Sequence, residues 1–199
     1  MSDTFPRQHA RTQRLTLGEP RNFTVSPDGA RIVFARSATG SDPVNMLWVL
    51  DVESGTERAV LDPRNIPADL AALTDEERRR RERAREGAGG VVSYSCDADA
   101  TKAVTILGGQ LFVVDLLTDA VSTPAVAPGV FDARLSPDGT RIAYVRGASL
   151  CVCDSAGNER VIAHEDSANV SWGSADFIAA EEMGRQRGYW WSPAGTHIA

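Results

Sequence analysis

The chain has 199 residues, of which 42% are hydrophobic and 24% charged, a composition typical of a globular protein with a sizeable core. Its net charge of −6 argues against partners that are nucleic acids or anionic membrane surfaces. No apolar stretch approaches the roughly 20 residues of a membrane-spanning helix, and the polar N-terminus lacks the apolar region of a signal peptide.

The three cysteines, Cys96, Cys151 and Cys153, indicate reduced thiols and a cytoplasmic location, because their number is odd and no secretion signal precedes them. We expect each to pack in the core. The sequence contains neither a C-x-x-C nor an H-E-x-x-H motif, so no metal and no other cofactor is expected.

In chain order, residues 1–18 are expected to form an N-terminal arm, and a first β unit follows at about 19–62. It begins with "FTVSPDGARIVFARS" at 23–37, in which alternating apolar residues flank a Ser-Pro-Asp-Gly turn. Proline presets such a turn, glycine takes a positive φ, and aspartate binds nearby backbone N–H groups. The pattern predicts a β-hairpin, with a further strand in "NMLWVLDVESG" at 45–55.

A charged helix is predicted next, as an insert at about 72–88. In "ALTDEERRRRERAREGAGG", Thr74 and Glu77 form a capping box and Gly87 suits the helix end. Because the helix is polar all round, we expect it to project from the sheets. An ordinary solvated helix in a long loop is the alternative.

The hairpin pattern then recurs three times. The copies are "VVSYSCDADATKAVTILGGQLFVVDLLTD" at 91–119, "FDARLSPDGTRIAYVRGASLCVCDSAG" at 131–157 and "YWWSPAGTHIA" at 189–199. Units of three or four short strands every forty or so residues predict an all-β fold, a partial β-propeller of three to four antiparallel blades. The predicted borders are 89–124 and 125–163, with a fourth blade from about 164. Since so few blades cannot close a ring, we expect the chain to be part of a longer protein.

The stretch "FIAAEEMGRQRGYWWSP" at 177–193 resembles the propeller of the dipeptidyl peptidase IV family of serine peptidases, in which a double glutamate precedes an aromatic strand. "LTDEERRRRERAREGAGGVVSY" at 73–94 resembles the arginine-bearing helix of its cytosolic and many bacterial members. The likeness covers most of residues 17–199. The double glutamate and W-W-S-P run are specific to the family, whereas other propellers also contain S-P-D-G turns.

The resemblance implies an eight-bladed propeller that caps a C-terminal α/β-hydrolase domain and gates substrate. It also implies that Glu181 and Glu182 bind the free amino group of a peptide substrate. Arg85 corresponds to the arginine that binds a substrate carbonyl, with Arg81, one turn earlier, as the alternative. The resemblance is also compatible with a homodimer of the full-length protein.

This sequence departs from the family in lacking a G-x-S-x-G motif and a Ser…Asp…His triad, and it ends inside the propeller. The hydrolase domain is absent from this chain, so no catalytic residue is assigned and the chain alone is expected to be inactive. The three histidines are expected to be structural or exposed. A non-enzymatic propeller that binds a protein or peptide, or a truncated product without function, remains the alternative.

Two carboxylates suit an ammonium group because it has three donors, and one carboxylate leaves some of them unmet. The alternative is a pair of ordinary surface glutamates. Trp190 and Trp191 are adjacent on a predicted strand, so they face opposite sides of the sheet. We expect both to serve in packing.

Overall fold

A computed structural model describes residues 4–66, 89–167 and 169–199. These described ranges contain two short α-helices, α1 (Phe5–Arg11) and α2 (Phe177–Glu182), one 3-10 helix (Pro63–Asn65) and thirteen strands. The strands are β1 (Arg21–Val25), β2 (Arg31–Ser37), β3 (Val44–Asp51), β4 (Glu57–Leu61), β5 (Gly89–Gly90), β6 (Tyr94–Cys96), β7 (Lys102–Leu107), β8 (Gln110–Asp115), β9 (Val121–Ser122), β10 (Val130–Leu135), β11 (Arg141–Arg146), β12 (Ser149–Asp154) and β13 (Glu159–Ala163). Neither described α-helix has the length and apolar character needed to cross a membrane.

The strands form three antiparallel sheets in simple chain order: β1-β2-β3-β4, β6-β7-β8-β9 and β10-β11-β12-β13. The short β5 adds a parallel pairing to β3 in the first sheet. These sheets confirm the predicted all-β class and antiparallel meanders. Within the described ranges no strand pairing joins one sheet to another, so they do not close. The predicted charged helix at 72–88 lies outside the described residues, and the count of eight blades stays a prediction.

The Ser-Pro turn joins the first two strands of a unit in the same way at each copy. Ser26 N–H donates to the carbonyl of Arg31 at 2.9 Å, and Arg31 N–H donates back to Ser26 Oγ at 2.9 Å. Gly29, at φ 71°, closes the turn through a 2.8 Å bond from its N–H to the Ser26 carbonyl. The same three bonds recur at Ser136 and Ser192. The repeat predicted from the sequence is therefore confirmed at these three positions.

The second unit makes the same turn with different residues. Asp97 stands in the serine position, and its carboxylate accepts from the N–H groups of Thr101 at 2.7 Å and Lys102 at 2.9 Å. Ala100 takes the glycine place at φ 49°. The carboxylate thus replaces the serine hydroxyl as acceptor, which confirms the copy of the repeat predicted at 91–119.

Three apolar clusters fill the spaces between successive units. The first joins sheets one and two around Val33, Leu47 and Val114, and the second joins sheets two and three around Val104 and Leu135. The third packs Tyr189, Trp191 and Ile198 on the far side of sheet three. The sheets therefore stack face to face, as blades do, with the core between them.

The cysteines are free thiols in the described structure. Cys151 and Cys153 lie on one face of β12 and are buried in the second cluster, while Cys96 is partly buried against the first. The prediction that the cysteines pack in the core is confirmed.

A tyrosine latch also joins sheets one and two. Tyr94, in the first strand of sheet two, donates its hydroxyl to the carbonyls of Asn22 and Val33, the second at 2.8 Å. Asn22 sits at φ 56° where the pairing of β1 with β2 shifts register. Such a bulge leaves a strand carbonyl without the N–H group that would normally donate to it from the paired strand. The Tyr94 hydroxyl of the next sheet supplies a donor in its place.

The same latch recurs between sheet three and the strand after it. Tyr189 is buried and donates to the carbonyls of Asp132 and Ala143, the latter at 2.8 Å. Asp132 sits at φ 47° in the bulge between β10 and β11. Tyr189 precedes Ser192 by three residues, as Tyr94 precedes Asp97, so the latch belongs to the repeat.

The junction of sheets two and three lacks this latch. Ala133 occupies the corresponding position, three residues before Ser136. The pairing of β6 with β7 runs without a register shift, and Thr105 of the same sheet donates to the Ser93 carbonyl at 2.7 Å. At this junction, where the first strand pair has no bulge, the Thr105 hydroxyl of sheet two itself takes the place of a tyrosine from the next sheet.

Candidate functional site

The paired glutamates end the short helix α2, which lies in the connection from β13 to the next first strand. Connections from a fourth to a first strand leave the edge opposite to the Ser-Pro turns, because neighbouring strands run antiparallel. Asp176 caps the helix by accepting from Ala179 N–H at 2.8 Å, and Ala179 and Ala180 are buried. Both glutamates are exposed at the opposite edge from those turns.

No helix was predicted from the sequence at this position. The signals that identify it are an N-cap aspartate, Asp176, and Gly184 at φ 63° just beyond its end. A helix of six residues has too few turns to show a clear apolar period.

The position of the glutamates is unfavourable for the helix itself. Carboxylates stabilise a helix at its N-terminus and destabilise it near its C-terminus, where the partial charge is negative. Glu181 and Glu182 occupy the last turn, which contains no basic residue. Each such placement costs about 0.3–1 kcal/mol at an exposed site. Helix stability therefore does not explain the pair, whereas a bound cation would offset this cost.

The segment after the helix is fixed by contacts to the helix. Arg185 N–H donates to the carbonyl of Ala179 at 2.9 Å, and the Gln186 side-chain amide donates to the carbonyl of Ala180 at 3.0 Å. These two bonds satisfy carbonyls at the helix end. An ion pair of 3.5 Å joins Arg185 to the cap residue Asp176.

A close backbone crossing holds the end of this segment. A Cβ placed on Gly188 would lie 2.5 Å from the backbone of Gly173, which is closer than real atoms approach. Only glycine allows the two segments to cross here. The glutamate helix is thus held at both ends, by its cap and by the return strand.

The return strand carries the two tryptophans in different environments. Trp191 packs on the third cluster, and its Nε1–H donates to the Arg134 carbonyl at 3.2 Å. Trp190 is 42% exposed and lies under the guanidinium of Arg187, 5.3 Å from the ring centroid. The packing prediction is therefore confirmed for Trp191, whereas Trp190 is exposed and its role stays a prediction.

Two arginines lie beside these tryptophans. Arg134 holds Asp132 Oδ1 with its Nε at 2.9 Å and its terminal nitrogen at 2.6 Å. Arg187 Nε donates to the Tyr189 carbonyl at 2.9 Å. Desolvation, and then the positive charge of Arg134, lower the pKa of the Arg187 guanidinium. The sequence alone does not single out these arginines, because their proximity depends on the packing of distant strands.

The other predicted site residues, Arg81 and Arg85, lie outside the described residues, so their predicted role stays a prediction. In the part of the chain that the structure describes, no group of histidine, cysteine and carboxylate side chains is arranged to hold a metal ion.

His164 lies between Ser149 Oγ at 2.9 Å and Asp166 Oδ1 at 3.2 Å, the bonding order of a hydrolytic triad. Asp166 is fully exposed and His164 is half exposed, so water competes for both bonds. These side chains are therefore not enclosed in a site that excludes water. Their exposure agrees with the prediction that the histidines are structural or exposed.

Comparison with known proteins finds a family similar to the C-terminal part of the chain. Residues 105–199 match the family model described as the dipeptidyl peptidase IV (DPP IV) N-terminal region. The chain is also similar to TolB from Acinetobacter baumannii, with a TM-score of 0.53 and 16% identity over 92% of its own length. It spans only 37% of that chain, and at this identity the likeness shows a common fold alone. The residues that match the N-terminal region of the dipeptidyl peptidase IV family include Glu181, Glu182 and the W-W-S-P run.

Proposed function

We propose that this chain is a propeller portion of a dipeptidyl aminopeptidase-like serine peptidase, in which it gates substrate and binds the N-terminus of a peptide. The observation that carries the proposal is the glutamate pair inside the family match, at a helix end where it destabilises the helix. A carboxylate pair kept at such a cost fits a cation-binding role better than a structural one.

The proposed ligand group is the α-ammonium of a peptide. It offers three donors, and Glu181 and Glu182 can accept them as charge-assisted hydrogen bonds. The contacts that hold α2 support this role, since the cap Asp176 and the crossing at Gly188 keep the pair in one place before the ligand arrives. We assign the binding of the first peptide carbonyl to Arg85, with Arg81 as the alternative.

In the intact enzyme a C-terminal α/β-hydrolase domain would supply the catalytic serine, aspartate and histidine. The role of the propeller would be positional, because a fixed N-terminus sets which peptide bond reaches the nucleophile. A cytoplasmic location is part of the proposal, supported by the free cysteines of the described structure.

The test is a calorimetric titration of the chain with Ala-Pro amide and with its N-acetylated form. We expect the free amine to bind at least about tenfold more tightly, because hydrogen bonds between charged groups contribute about 1.5–3 kcal/mol. Glu181→Gln and Glu182→Gln keep the side-chain shape and remove the charge, and each should abolish this preference.

Glu53→Gln is the matched control, since Glu53 is an exposed glutamate in the turn between β3 and β4. It removes the same charge far along the chain and should leave binding unchanged. Equal binding of the two peptides by the parent chain, or a preference that survives in both site variants, would show that the glutamates are ordinary surface charges. A propeller that binds a protein partner instead would then be favoured.

A further inference from the structure

The first strand of the last unit lies against β10 of sheet three and brings two arginines together. Tyr189 and Trp191 are hydrogen bonded to the carbonyls of Asp132 and Arg134. Arg187 is two residues before Tyr189, so it lies at the same junction as Arg134. Its guanidinium is held on one side by the Tyr189 carbonyl and below by the Trp190 ring.

The charges at this junction do not balance. Asp132 is only 9% exposed, and its Oδ1 atom accepts both bonds from Arg134. Its Oδ2 atom is buried without a partner among the described residues, so Arg187 does not bind it. One carboxylate therefore faces two guanidinium groups, which leaves a net charge of +1.

The terminal nitrogens of Arg187 are the donors that remain. Within the described ranges the guanidinium makes one hydrogen bond, through Nε, and one contact with an aromatic ring. A planar guanidinium supported on a ring and bonded through Nε presents its two terminal N–H₂ groups in a fixed direction. That geometry suits the two oxygens of a carboxylate.

The glutamate pair lies close enough for one peptide to reach both sites. Arg187 lies five positions after Glu182, so their Cα atoms are at most about 18 Å apart even if the chain between them were fully extended. The bonds of Arg185 and Gln186 back to α2 make the actual separation shorter. Negative and positive charges therefore lie within the length of a short peptide.

We propose that Arg187 and Arg134 form a subsite for a carboxylate, so that the site favours peptides with a free N-terminus and an acidic side chain among their first residues. This inference rests on the proposed function, because the glutamate pair defines where the peptide begins. Arg187 contacts the carboxylate, and Arg134 adds positive charge while it remains bound to Asp132. The ligand class is therefore an acidic peptide.

The test uses four peptide amides: Ala-Glu-Ala and Ala-Gln-Ala, each with a free and with an acetylated N-terminus. Amidation removes the C-terminal carboxylate, which would otherwise compete for the arginines. Binding to the whole chain is measured by calorimetry and by quenching of tryptophan fluorescence. With the free N-terminus, the glutamate peptide should bind about three- to tenfold more tightly than the glutamine peptide, a modest factor because the arginines are partly exposed.

Arg187→Gln should reduce that ratio to about one and leave the free-amine preference unchanged. Arg160→Gln is the control, because Arg160 is an exposed arginine of β13 and its loss changes the net charge equally. Circular dichroism of each variant checks that the fold is retained.

The two proposals fail in different ways in this design. Equal affinity for the glutamate and glutamine peptides, or an acidic preference that persists in Arg187→Gln, would refute the subsite even if free amines bind best. An acidic preference without any effect of acetylation would support the subsite and refute the amine site. If none of the four peptides binds, both proposals are wrong.

Discussion

Replacing Tyr189 by phenylalanine should lower the free energy of unfolding by about 1–3 kcal/mol, although the ring and its packing remain. The buried hydroxyl donates to two carbonyls, of Asp132 and Ala143, and both would lose this donor. A typical hydrogen bond contributes about 0.5–1.5 kcal/mol, and a buried acceptor left without a partner costs about 1–3 kcal/mol. For a chain of this size each kcal/mol corresponds to roughly 2–4 °C in Tm.

The assay is urea unfolding together with calorimetry of three single variants. Tyr94→Phe breaks the equivalent latch between sheets one and two, to the carbonyls of Asn22 and Val33, and should cost a similar amount. Tyr144→Phe is the control, because its hydroxyl donates to the Glu159 carboxylate, which Arg146 also holds.

We expect Tyr144→Phe to cost less than about 1 kcal/mol, since its acceptor keeps a charged partner. The reasoning about the latch would be refuted if both latch variants unfolded within about 0.5 kcal/mol of the parent chain. It would also be refuted if the control variant were the most destabilised of the three.

Three further outcomes are expected. Gly188→Ala should destabilise the chain by about 1–3 kcal/mol and weaken peptide binding, because the added Cβ meets the Gly173 backbone at 2.5 Å; an unchanged Tm would contradict the crossing. The free energy of unfolding should fall as pH rises from about 9 towards 12. Burial raises the pKa of Cys96 from 9.0 to about 12 and also raises the pKa of Tyr94. The folded chain therefore retains protons that the unfolded chain releases, so this contribution to stability is fully present only below about pH 9. In Tm measurements against pH, Cys96→Ala should flatten this alkaline decline, and an equally steep decline would show that other groups cause it. Finally, the chain should not cleave Xaa-Pro chromogenic substrates and a fluorophosphonate should not label Ser149; labelling detected by mass spectrometry would show that the exposed Ser-His-Asp arrangement is reactive.

The parts of the fold that the sequence predicted are those with strong local chemistry. The turns at Ser26, Ser136 and Ser192 are each defined by four consecutive residues whose side chains and φ preferences act within the turn itself. The inner strands β8, β11 and β12 carry short apolar runs because each is buried on both faces between neighbouring sheets. Local information was therefore sufficient for the all-β class and for the repeat.

The candidate site was predicted only in part, because its remaining features depend on distant contacts. The glutamate pair was found by resemblance, whereas the helix that carries it is too short to give a periodic signal. The latch of Tyr189 needs carbonyls 57 and 46 residues away in the chain. The nearness of Arg187 to Arg134 likewise follows from strand packing, which a single sequence does not specify.

Asp132 links the stability of this junction to the chemistry proposed for it. Its backbone takes φ 47°, which aspartate and asparagine tolerate better than most residues, and its carbonyl accepts the Tyr189 hydroxyl. Its side chain neutralises Arg134. Asp132→Asn separates these two roles, since asparagine keeps the backbone preference and the oxygen acceptor but removes the charge. The latch should then survive with little change in Tm, while the positive charge beside Arg187 increases. Acidic peptides with a free N-terminus should consequently bind more tightly to Asp132→Asn than to the parent chain, and unchanged or weaker binding by a folded variant would mean that this junction does not attract the carboxylate.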